Sequence, residues 1–235
     1  KPITARYDFP PLPKPMREFI DWAAWYNCAP RGMVLKMTFP VSGIDKEGRT
    51  KAPPVTIDAK HMHLAKLSAV QEAGAAKLNH TLSEGFSVTL LDGVTGSGKT
   101  EVYFQAIAEI LAAHEHSQIL VLLPEIALSV QWLKRFEERF GFKPSIWNSE
   151  ITPVQRRITW QAIAKGEARV VVGARSALFL PYPNLKLIVV DEEHDTSYKQ
   201  EEGVIYHARD RAVARARFEK LPIVLVSATP SLESY

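Results

Sequence analysis

The segment from Gly93 to Thr100, with the sequence GVTGSGKT, constrains the fold of this chain more than any other stretch. It follows the apolar run Ser87 to Leu91, a predicted strand, and precedes a helical pattern over residues 99 to 114. Its glycines allow the backbone to curl so that successive N–H groups point into one concave turn. Between a strand and the first turn of a helix, such a loop binds phosphate groups. The chain is therefore expected to bind a nucleotide through this loop.

The side chains and the backbone of this loop have distinct expected roles. Lys99 can reach the β and γ phosphates of ATP, and the Thr100 hydroxyl can bind Mg²⁺. ATP and Mg²⁺ are thus the predicted cofactors, and backbone atoms are expected to supply the other phosphate contacts. These come from Gly93, Thr95, Gly96, Ser97 and Gly98.

Short apolar runs alternate with longer amphipathic stretches from about residue 60 onward. Near-continuous apolar strands joined by helices indicate an α/β fold with a mostly parallel sheet covered on both faces. Ligands of such sheets bind at the carboxyl ends of the strands. The predicted strands are Ser87 to Leu91, Gln118 to Leu123, Arg169 to Gly173, Leu187 to Asp191 and Ile223 to Ser227, and the predicted helices span 64 to 80, 99 to 114, 125 to 140, 153 to 165 and 207 to 219.

A run of acidic residues follows the apolar stretch that ends at Asp191. Asp191, Glu192, Glu193 and Asp195 place four carboxylates within five residues, which is poor material for a hydrophobic core. At the mouth of a sheet, Asp191 is expected to hold Mg²⁺, and Glu192 is expected to act as general base toward an attacking water. The acidic run is therefore the predicted partner of the phosphate loop.

Residues 1 to 58 form a predicted module whose pattern differs from that of the rest of the chain. Prolines concentrate in the first fifteen residues and again near residue 53, which predicts stiff connecting segments. Residues 16 to 28 carry a helical apolar pattern, Val34 to Phe39 resembles a strand, and Ser42 to Gly48 resembles a wing-like hairpin. This organisation predicts a small helix-plus-hairpin module whose aromatic residues are mainly core.

Charge and cysteine content narrow the class of protein further. The net charge of +3 is unevenly placed, since residues 1 to 60 hold ten Lys and Arg against six Asp and Glu. Cys28 is the only cysteine, which excludes an intramolecular disulfide and a cysteine-rich zinc site within this chain. No apolar run is long enough to span a membrane, so we expect a cytoplasmic protein without a membrane partner. The start at Lys1 suggests a piece of a longer protein.

Aromatic residues and arginines recur at helical spacing in two of the predicted helices. The aromatic set is expected in the core and comprises Trp132, Phe136 and Phe140. The arginine set is expected on the solvated side of its helix and comprises Arg209, Arg211, Arg215 and Arg217.

Two further motifs give the chain a specific resemblance. The sequence DEEH from Asp191 and the sequence SATP from Ser227 follow the phosphate loop in an order that resembles the superfamily 2 helicases. A guanine-reading N-K-x-D segment, typical of GTP-binding switches, does not occur in the sequence. The chain is also similar to the bacterial primosomal helicases that restart stalled replication forks, over residues 60 to 235 and more loosely from Pro11 to Pro40. The segments that carry this similarity are GVTGSGKTEVY from Gly93, LPEIAL from Leu123, GARSALF from Gly173, DEEHDTSYKQ from Asp191 and YHARD from Tyr206.

The resemblance implies a winged-helix-like DNA-binding module over residues 1 to 58 and a RecA-like helicase lobe over residues 59 to 235. It also implies a role for each matched position. Gln71 would read adenine, while His194, Ser227 and Thr229 would couple the state of the nucleotide to the DNA-binding surface. Two further groups would contact DNA, the first on the face that tracks a strand and the second by stacking on single-stranded bases. The strand-tracking group is Pro124, Glu125, Arg175 and Ser176, and the aromatic-rich loop contributes Tyr198, Lys199, Tyr206 and His207.

The same resemblance implies partners and parts that lie outside this chain. The implied partners are single-stranded and forked DNA, primosome proteins and single-strand-binding proteins, and a cysteine-rich insertion would carry zinc elsewhere. A second motor lobe would supply the arginine finger for ATP hydrolysis, so this chain is expected to bind ATP with little turnover. The alternatives are another superfamily 2 DNA translocase, RecG-like or restriction-type, and a non-catalytic DNA-binding scaffold.

Overall fold

The computed structural model describes residues 9–44, 62–124 and 130–234. The helices in these ranges are α1 (Lys14–Tyr26), α2 (Arg31–Thr38), α3 (Ala69–Leu82), α4 (Lys99–Ala113), α5 (Val130–Phe140), α6 (Pro153–Ala164) and α7 (Ala208–Glu219). The strands are β1 (Val88–Asp92), β2 (Gln118–Leu122), β3 (Ser145–Trp147), β4 (Val170–Gly173), β5 (Leu185–Val190), β6 (Lys199–Gln200), β7 (Tyr206–His207) and β8 (Ile223–Ser227). Short 3-10 helices cover Arg175–Phe179, Thr196–Tyr198 and Leu232–Ser234.

Six strands form one parallel sheet in the order β1-β8-β5-β2-β4-β3, which confirms the predicted α/β fold. Every residue of β2 and β8 is buried, as expected where helices cover both faces of a parallel sheet. The register pairs Asp92 with Ser227 and Leu122 with Val190, so the carboxyl ends of these strands lie at one edge. β6 and β7 form a separate antiparallel pair.

Alternate residues of the central strands face opposite sides of the sheet and belong to two hydrophobic cores. Val121 and Val189 lie in the core that includes Phe104 of α4 and the buried residues of α3 and α5. Leu120 and Ile188 lie in the core that includes the buried residues of α1, α2, α6 and α7. The faces of the sheet are thus both covered, which leaves the row of carboxyl ends as its ligand-binding edge.

Helix α1 packs on the lobe rather than standing away from it. Phe19 is fully buried, and its ring lies 5.5 Å from the ring of Phe179 and 6.4 Å from that of Phe218 in α7. Trp25 is 75% exposed, so only part of the aromatic set of α1 is core. The buried face of α1 continues the second core of the sheet.

Helix α2 corrects the prediction of a strand from Val34 to Phe39, which is wrong because the chain is helical through Thr38. Val34 and Thr38 are buried one helical turn apart, and Trp160 Nε1 donates to the Thr38 carbonyl at 2.8 Å. Contact with α6 therefore favours a helix over the predicted strand in this segment. The predicted wing from Ser42 to Gly48 lies largely outside the described residues, as does the boundary at residue 58, so the division into two domains stays a prediction.

Helix α7 corrects the prediction that its arginines face solvent, which is wrong for three of them. Arg209, Arg211 and Arg215 are 6%, 5% and 0% exposed. Arg215 donates to the carbonyls of Leu178 and Leu180, where it satisfies backbone acceptors beneath the helix. α7 packs against both the sheet and α1, so it has protein on two sides. The aromatic residues of α5 are buried as predicted.

Within residues 9–44, 62–124 and 130–234, no helix combines the length and the apolar character needed to cross a lipid bilayer.

Candidate nucleotide-binding site

The phosphate loop turns sharply between the end of β1 and the start of α4. Gly96 and Gly98 have φ values of 80° and 82°, in the left-handed region that favours glycine. Gly98 is also the N-cap residue that precedes α4, and its carbonyl accepts the N–H of Glu101 at 2.9 Å. The unpaired N–H groups at the start of α4 therefore face the loop, where they attract anions.

Lys99 lies in the first turn of α4 and reaches back over the loop. Its ammonium donates to the carbonyl of Gly93 and, at 3.1 Å, to that of Val94. Thr95 and Gly96 are exposed, so this part of the loop opens to solvent. The predicted phosphate-binding positions thus come together in one turn at the edge of the sheet.

Gln71 reaches the same loop from helix α3. Its Nε2 donates to the Ser97 carbonyl at 2.8 Å, and its Oε1 accepts the backbone N–H of Ser68 at 2.8 Å. Ser68 in turn caps α3, because its hydroxyl accepts the backbone N–H of Gln71. The side chain predicted to read adenine therefore lies beside the nucleotide loop, and its assignment to adenine stays a prediction.

Asp191 lies directly after β5, and β8 separates that strand from β1 and the phosphate loop. Its Oδ2 accepts the hydroxyl of Tyr103 at 2.8 Å, and its Oδ1 accepts the N–H of Glu192 at 3.1 Å. Burial raises the pKa of Asp191 to about 6, although the Tyr103 hydroxyl and the charge of Lys99 lower it. The loop and the acidic turn thus follow strands that lie close together at the same edge of the sheet.

The donor groups of this site suit Mg²⁺. Asp191 offers a carboxylate oxygen and Thr100 offers a hydroxyl, and Mg²⁺ prefers hard oxygen ligands in sites that substrate phosphates complete. In the described part of the chain, no three His, Cys, Asp or Glu side chains group closely enough to enclose a metal ion. The residues present therefore fit an Mg²⁺ ion that is held jointly with a nucleotide.

The acidic turn also contacts the end of β8. Glu192 has a φ of 49° and a side chain that is 42% exposed, so its carboxylate is open to water. His194 Nδ1 lies 2.7 Å from Ser227 Oγ and 3.8 Å from the Glu192 carboxylate. Ser227 Oγ also accepts the N–H of Thr229 at 3.1 Å. The structure thus connects Glu192 with all three residues that were predicted to couple the nucleotide to DNA.

Glu193, like Asp195, is a member of the acidic run that had no predicted role. It is fully buried, with Oε2 3.1 Å from Arg209 Nη1, and it accepts the Ser231 N–H at 2.9 Å and the Ser234 hydroxyl at 2.7 Å. Burial raises the pKa of the Glu193 carboxyl, but these donors outweigh it and hold that pKa below its ordinary value. Glu193 therefore joins the acidic turn to α7 and to the turn after β8.

Arg175 ties the strand-tracking group to the aromatic-rich loop. Its Nη1 donates to the carbonyls of Ser197 and Lys199 at 2.8 and 2.6 Å. Arg175 and Ser176 line an open cavity of about 260 Å³ together with Arg156. This cavity has positive charge and hydroxyl groups at its surface, which is the chemistry that a phosphate backbone requires.

The other two strand-tracking candidates follow β2. Pro124 is buried at the end of that strand, and its side chain is not available as a surface contact. Glu125 lies outside the described residues. The structure therefore brings only Arg175 and Ser176 of this group to a described surface.

The aromatic-rich loop presents fewer rings than predicted. Tyr198 and Tyr206 are 1% and 4% exposed, so the expectation that these two rings stack on bases is wrong. Tyr198 instead donates its hydroxyl to the carbonyls of Asp191 and Leu122, at 2.6 and 3.0 Å. The ring of Tyr206 packs against that of Phe179. Tyr198 thus joins the acidic turn to the end of β2.

The two remaining loop candidates differ in exposure. Lys199 is exposed, and its ammonium lies 2.8 Å from the Glu201 carboxylate. His207 is half-buried, and burial lowers the pKa of its imidazole. Lys199 is accordingly the member of this group best placed for a phosphate.

Both the sequence and the fold of this chain are similar to those of known proteins. The DEAD/DEAH box helicase family matches residues 71–235. Replication restart protein PriA of Rickettsia felis is 46% identical over 217 residues, which are 92% of this chain and 32% of that protein. The protein of the same name from Bacillus subtilis is 46% identical over 170 residues, which are 72% of this chain and 21% of that protein. The chain thus spans about a third, or less, of the length of these relatives.

Solved structures resemble the described fold at low sequence identity. RecG bound to a three-way DNA junction has a TM-score of 0.55 at 21% identity, and the match covers 93% of this chain and 27% of the RecG chain. The DUF1998 helicase MrfA bound to DNA has a TM-score of 0.51 at 22% identity, and the match covers 79% of this chain and 27% of the MrfA chain. These similarities concern the fold alone.

Proposed function

The chain belongs to the DEAD/DEAH box helicase family, and on that basis we propose that it is the ATP-binding first motor lobe of a DNA helicase that restarts stalled replication forks. The relatives at 46% identity carry the name replication restart protein, and the chain corresponds to a part of each. The fold supports a motor lobe, because its sheet ends in a row of turns that face one site.

The arrangement of three neighbouring strand ends is the observation that carries the proposal. β1 leads into the phosphate loop, β5 leads into Asp191, and β8 lies between them and ends at Ser227. His194 follows Asp191 and contacts Ser227, so the acidic turn is tied to a strand end that does not itself bind phosphate. A motor needs such a tie, because a change at the nucleotide must reach a second surface.

Each residue of the site has a distinct part in the proposed ATP hydrolysis. The N–H groups of the loop and the Lys99 ammonium bind the phosphates of ATP. Asp191 and Thr100 would hold Mg²⁺, which would supply positive charge to the phosphate oxygens. Glu192 accepts a proton from the attacking water, since its carboxylate is open to solvent. The arginine finger that stabilises the transferring phosphoryl group comes from a second lobe outside this chain.

The proposed substrate is single-stranded and forked DNA. Arg175 and Lys199 offer positive charge near the open cavity beside the loop, and phosphate contacts supply affinity without sequence choice. The named relatives support action at replication forks, and with it primosome and single-strand-binding proteins as partners in a cytoplasmic setting. A zinc site is proposed for another part of the protein, since Cys28 is the only cysteine here.

Substitution of Lys99 tests whether this site binds ATP. We expect Lys99→Ala to weaken ATP binding by about 10 to 100-fold, because it removes a charge-assisted contact worth roughly 1.5 to 3 kcal/mol. Isothermal titration of ATP into the two forms of the chain measures this. Lys134→Ala is the matched control, because Lys134 is an exposed lysine in α5. Equal ATP affinity for Lys99→Ala and wild type would favour the scaffold alternative.

Turnover by this chain alone tests the proposed need for a second lobe. ATP hydrolysis by residues 1 to 235 should stay near background and should not rise when single-stranded DNA is added. Phosphate release measured with and without DNA gives the answer. Steady DNA-stimulated hydrolysis by this chain would contradict the second-lobe requirement while leaving ATP binding intact.

A further inference from the structure

A buried hydrogen-bond chain ends on the carboxylate proposed to hold Mg²⁺. Trp132 Nε1 donates to Tyr103 Oη at 2.9 Å, and Tyr103 Oη lies 2.8 Å from Asp191 Oδ2. An indole N–H can only donate, and an ionised carboxylate can only accept. The phenol therefore donates its single proton to Asp191, while Trp132 and the Thr100 side chain hydrogen-bond on the acceptor side of its oxygen.

The side chains of this hydrogen-bond chain are held in place by their surroundings. Tyr103 is fully buried, so water does not compete for its hydrogen bonds. The ring of Trp132 is stacked on that of Phe136 and lies edge-on to that of Phe104. A donor held this firmly orients its acceptor at little cost in conformational entropy.

The position of Tyr103 on α4 links this chain to the phosphate loop. Tyr103 and Lys99 are four residues apart in one helix and so lie on the same face of it. One helix face thus carries both the ammonium that faces the phosphates and the hydroxyl that faces the metal ligand. The distance between the phosphate site and Asp191 is consequently set through a rigid helix rather than through a loop.

We propose that Tyr103 is a positioning residue for magnesium binding: it holds Asp191 Oδ2 against α4 so that Oδ1 faces the nucleotide, and Trp132 orients the Tyr103 hydroxyl. This inference rests on the proposed function, because it assumes that Asp191 binds Mg²⁺ beside ATP. Outer hydrogen bonds of this kind tune metal ligands in proteins. Tyr103 acts through Asp191 in this proposal and is not itself a metal ligand.

Tyr103→Phe tests the proposal because it removes one hydroxyl and leaves the ring in place. Binding of a fluorescent N-methylanthraniloyl-ATP to the chain is followed while Mg²⁺ is titrated, and again in excess EDTA. The Mg²⁺ concentration for half-maximal enhancement of nucleotide binding should rise by about 10 to 100-fold. Affinity in EDTA should stay within about twofold of wild type, because the phosphate loop keeps all its donors.

Two further variants separate positioning from a general loss of structure. Tyr182→Phe is the matched control, because Tyr182 is also buried and its hydroxyl donates to the Ala177 carbonyl at 3.1 Å, away from Asp191. Its Mg²⁺ dependence should equal that of wild type. Trp132→Phe keeps an aromatic ring but loses the indole N–H, and it should shift the Mg²⁺ dependence in the same direction as Tyr103→Phe.

The outcomes distinguish this inference from the function on which it rests. Wild type that binds no nucleotide, with or without Mg²⁺, would overturn the proposed function and the inference with it. Wild type with Mg²⁺-dependent binding and an unchanged Mg²⁺ requirement in Tyr103→Phe would overturn the inference alone. A shift of equal size in Tyr182→Phe would also overturn it, because the effect would then be general.

Discussion

Gly96 and Gly98 share a left-handed backbone in the phosphate loop, but they differ in their neighbours. A Cβ on Gly98 would overlap Nε2 of Gln71, whereas a Cβ on Gly96 would meet no atom within 4 Å. Gln71 is the residue that donates to the Ser97 carbonyl of the loop. The side chain of α3 thus occupies the space that the missing side chain of Gly98 leaves.

We expect Gly98→Ala to lower the free energy of unfolding by about 1 to 2 kcal/mol from backbone strain, with roughly 1 kcal/mol more from the displaced Gln71 bond. Gly96→Ala should show the strain alone. Gly74→Ala in α3 should instead raise the free energy of unfolding by about 1 kcal/mol. The added Cβ meets no atom within 4 Å, and alanine is favoured over glycine inside a helix. Urea denaturation of the three variants measures the differences. Equal losses at positions 96 and 98 would remove the role assigned to Gln71.

The glycines of the loop could be predicted from sequence, but the contacts of Tyr103 could not. The G-x-x-x-x-G-K-T pattern is local, so its backbone demands are visible in the residue types themselves. Tyr103 meets Asp191 across 88 positions of sequence and meets Trp132 across 29. The register of the sheet and the packing of α5 determine these two contacts, and no local sequence pattern predicts them.

The acidic turn and helix α7 form one unit at the scale of secondary structure. Glu193 and Arg209 are both buried and lie 3.1 Å apart, with Ser231 and Ser234 completing the hydrogen bonds of the carboxylate. Charge pattern alone placed Glu193 in a solvated run and Arg209 on a solvated helix face. Each charge is buried because the other is present, and a charge enters a core only when paired.

Glu193→Gln tests that pairing. It keeps the size of the side chain but removes the buried carboxylate that faces Arg209, and only the more exposed carboxylate of Asp210, 2.9 Å from the guanidinium, remains. The free energy of unfolding should therefore fall by about 2 to 3 kcal/mol. Urea denaturation at neutral pH measures the loss. Glu138→Gln is the control, since Glu138 forms an exposed pair with Lys134 and should change stability by less than about 0.5 kcal/mol. Similar losses in both variants would mean that the buried Glu193 pair contributes no more to stability than the exposed Glu138 pair.

At the scale of the whole molecule, the N-terminal helices and the sheet share one core. Phe19 of α1 and Trp160 of α6 are buried in the same hydrophobic cluster as Leu120 of β2. The expected module over residues 1 to 58 implies separate unfolding, whereas this packing implies a single cooperative unit for the described helices and the sheet.

Phe19→Ala tests the shared core. The substitution leaves a cavity between α1 and α7 and should lower the free energy of unfolding by about 3 to 5 kcal/mol, with one transition for the whole chain. Trp25→Ala, at a 75% exposed position of the same helix, should change stability by less than about 0.5 kcal/mol. Far-ultraviolet circular dichroism in urea follows both variants. A separate early transition in Phe19→Ala, with the later one unmoved, would support an independent N-terminal module.

By itself, the sequence determined the phosphate loop, the parallel sheet and the turns at its strand ends, because residue type and hydrophobic period carry those features locally. Five predicted strands appear in the sheet near their expected places, and the short β3 was not predicted because three residues carry no period. Tertiary structure alone decided that α2 is a helix, that Tyr198 and Arg215 are buried, and that Tyr103 holds Asp191. Burial depends on partners far along the chain, and their contacts exist only once the helices pack on the sheet.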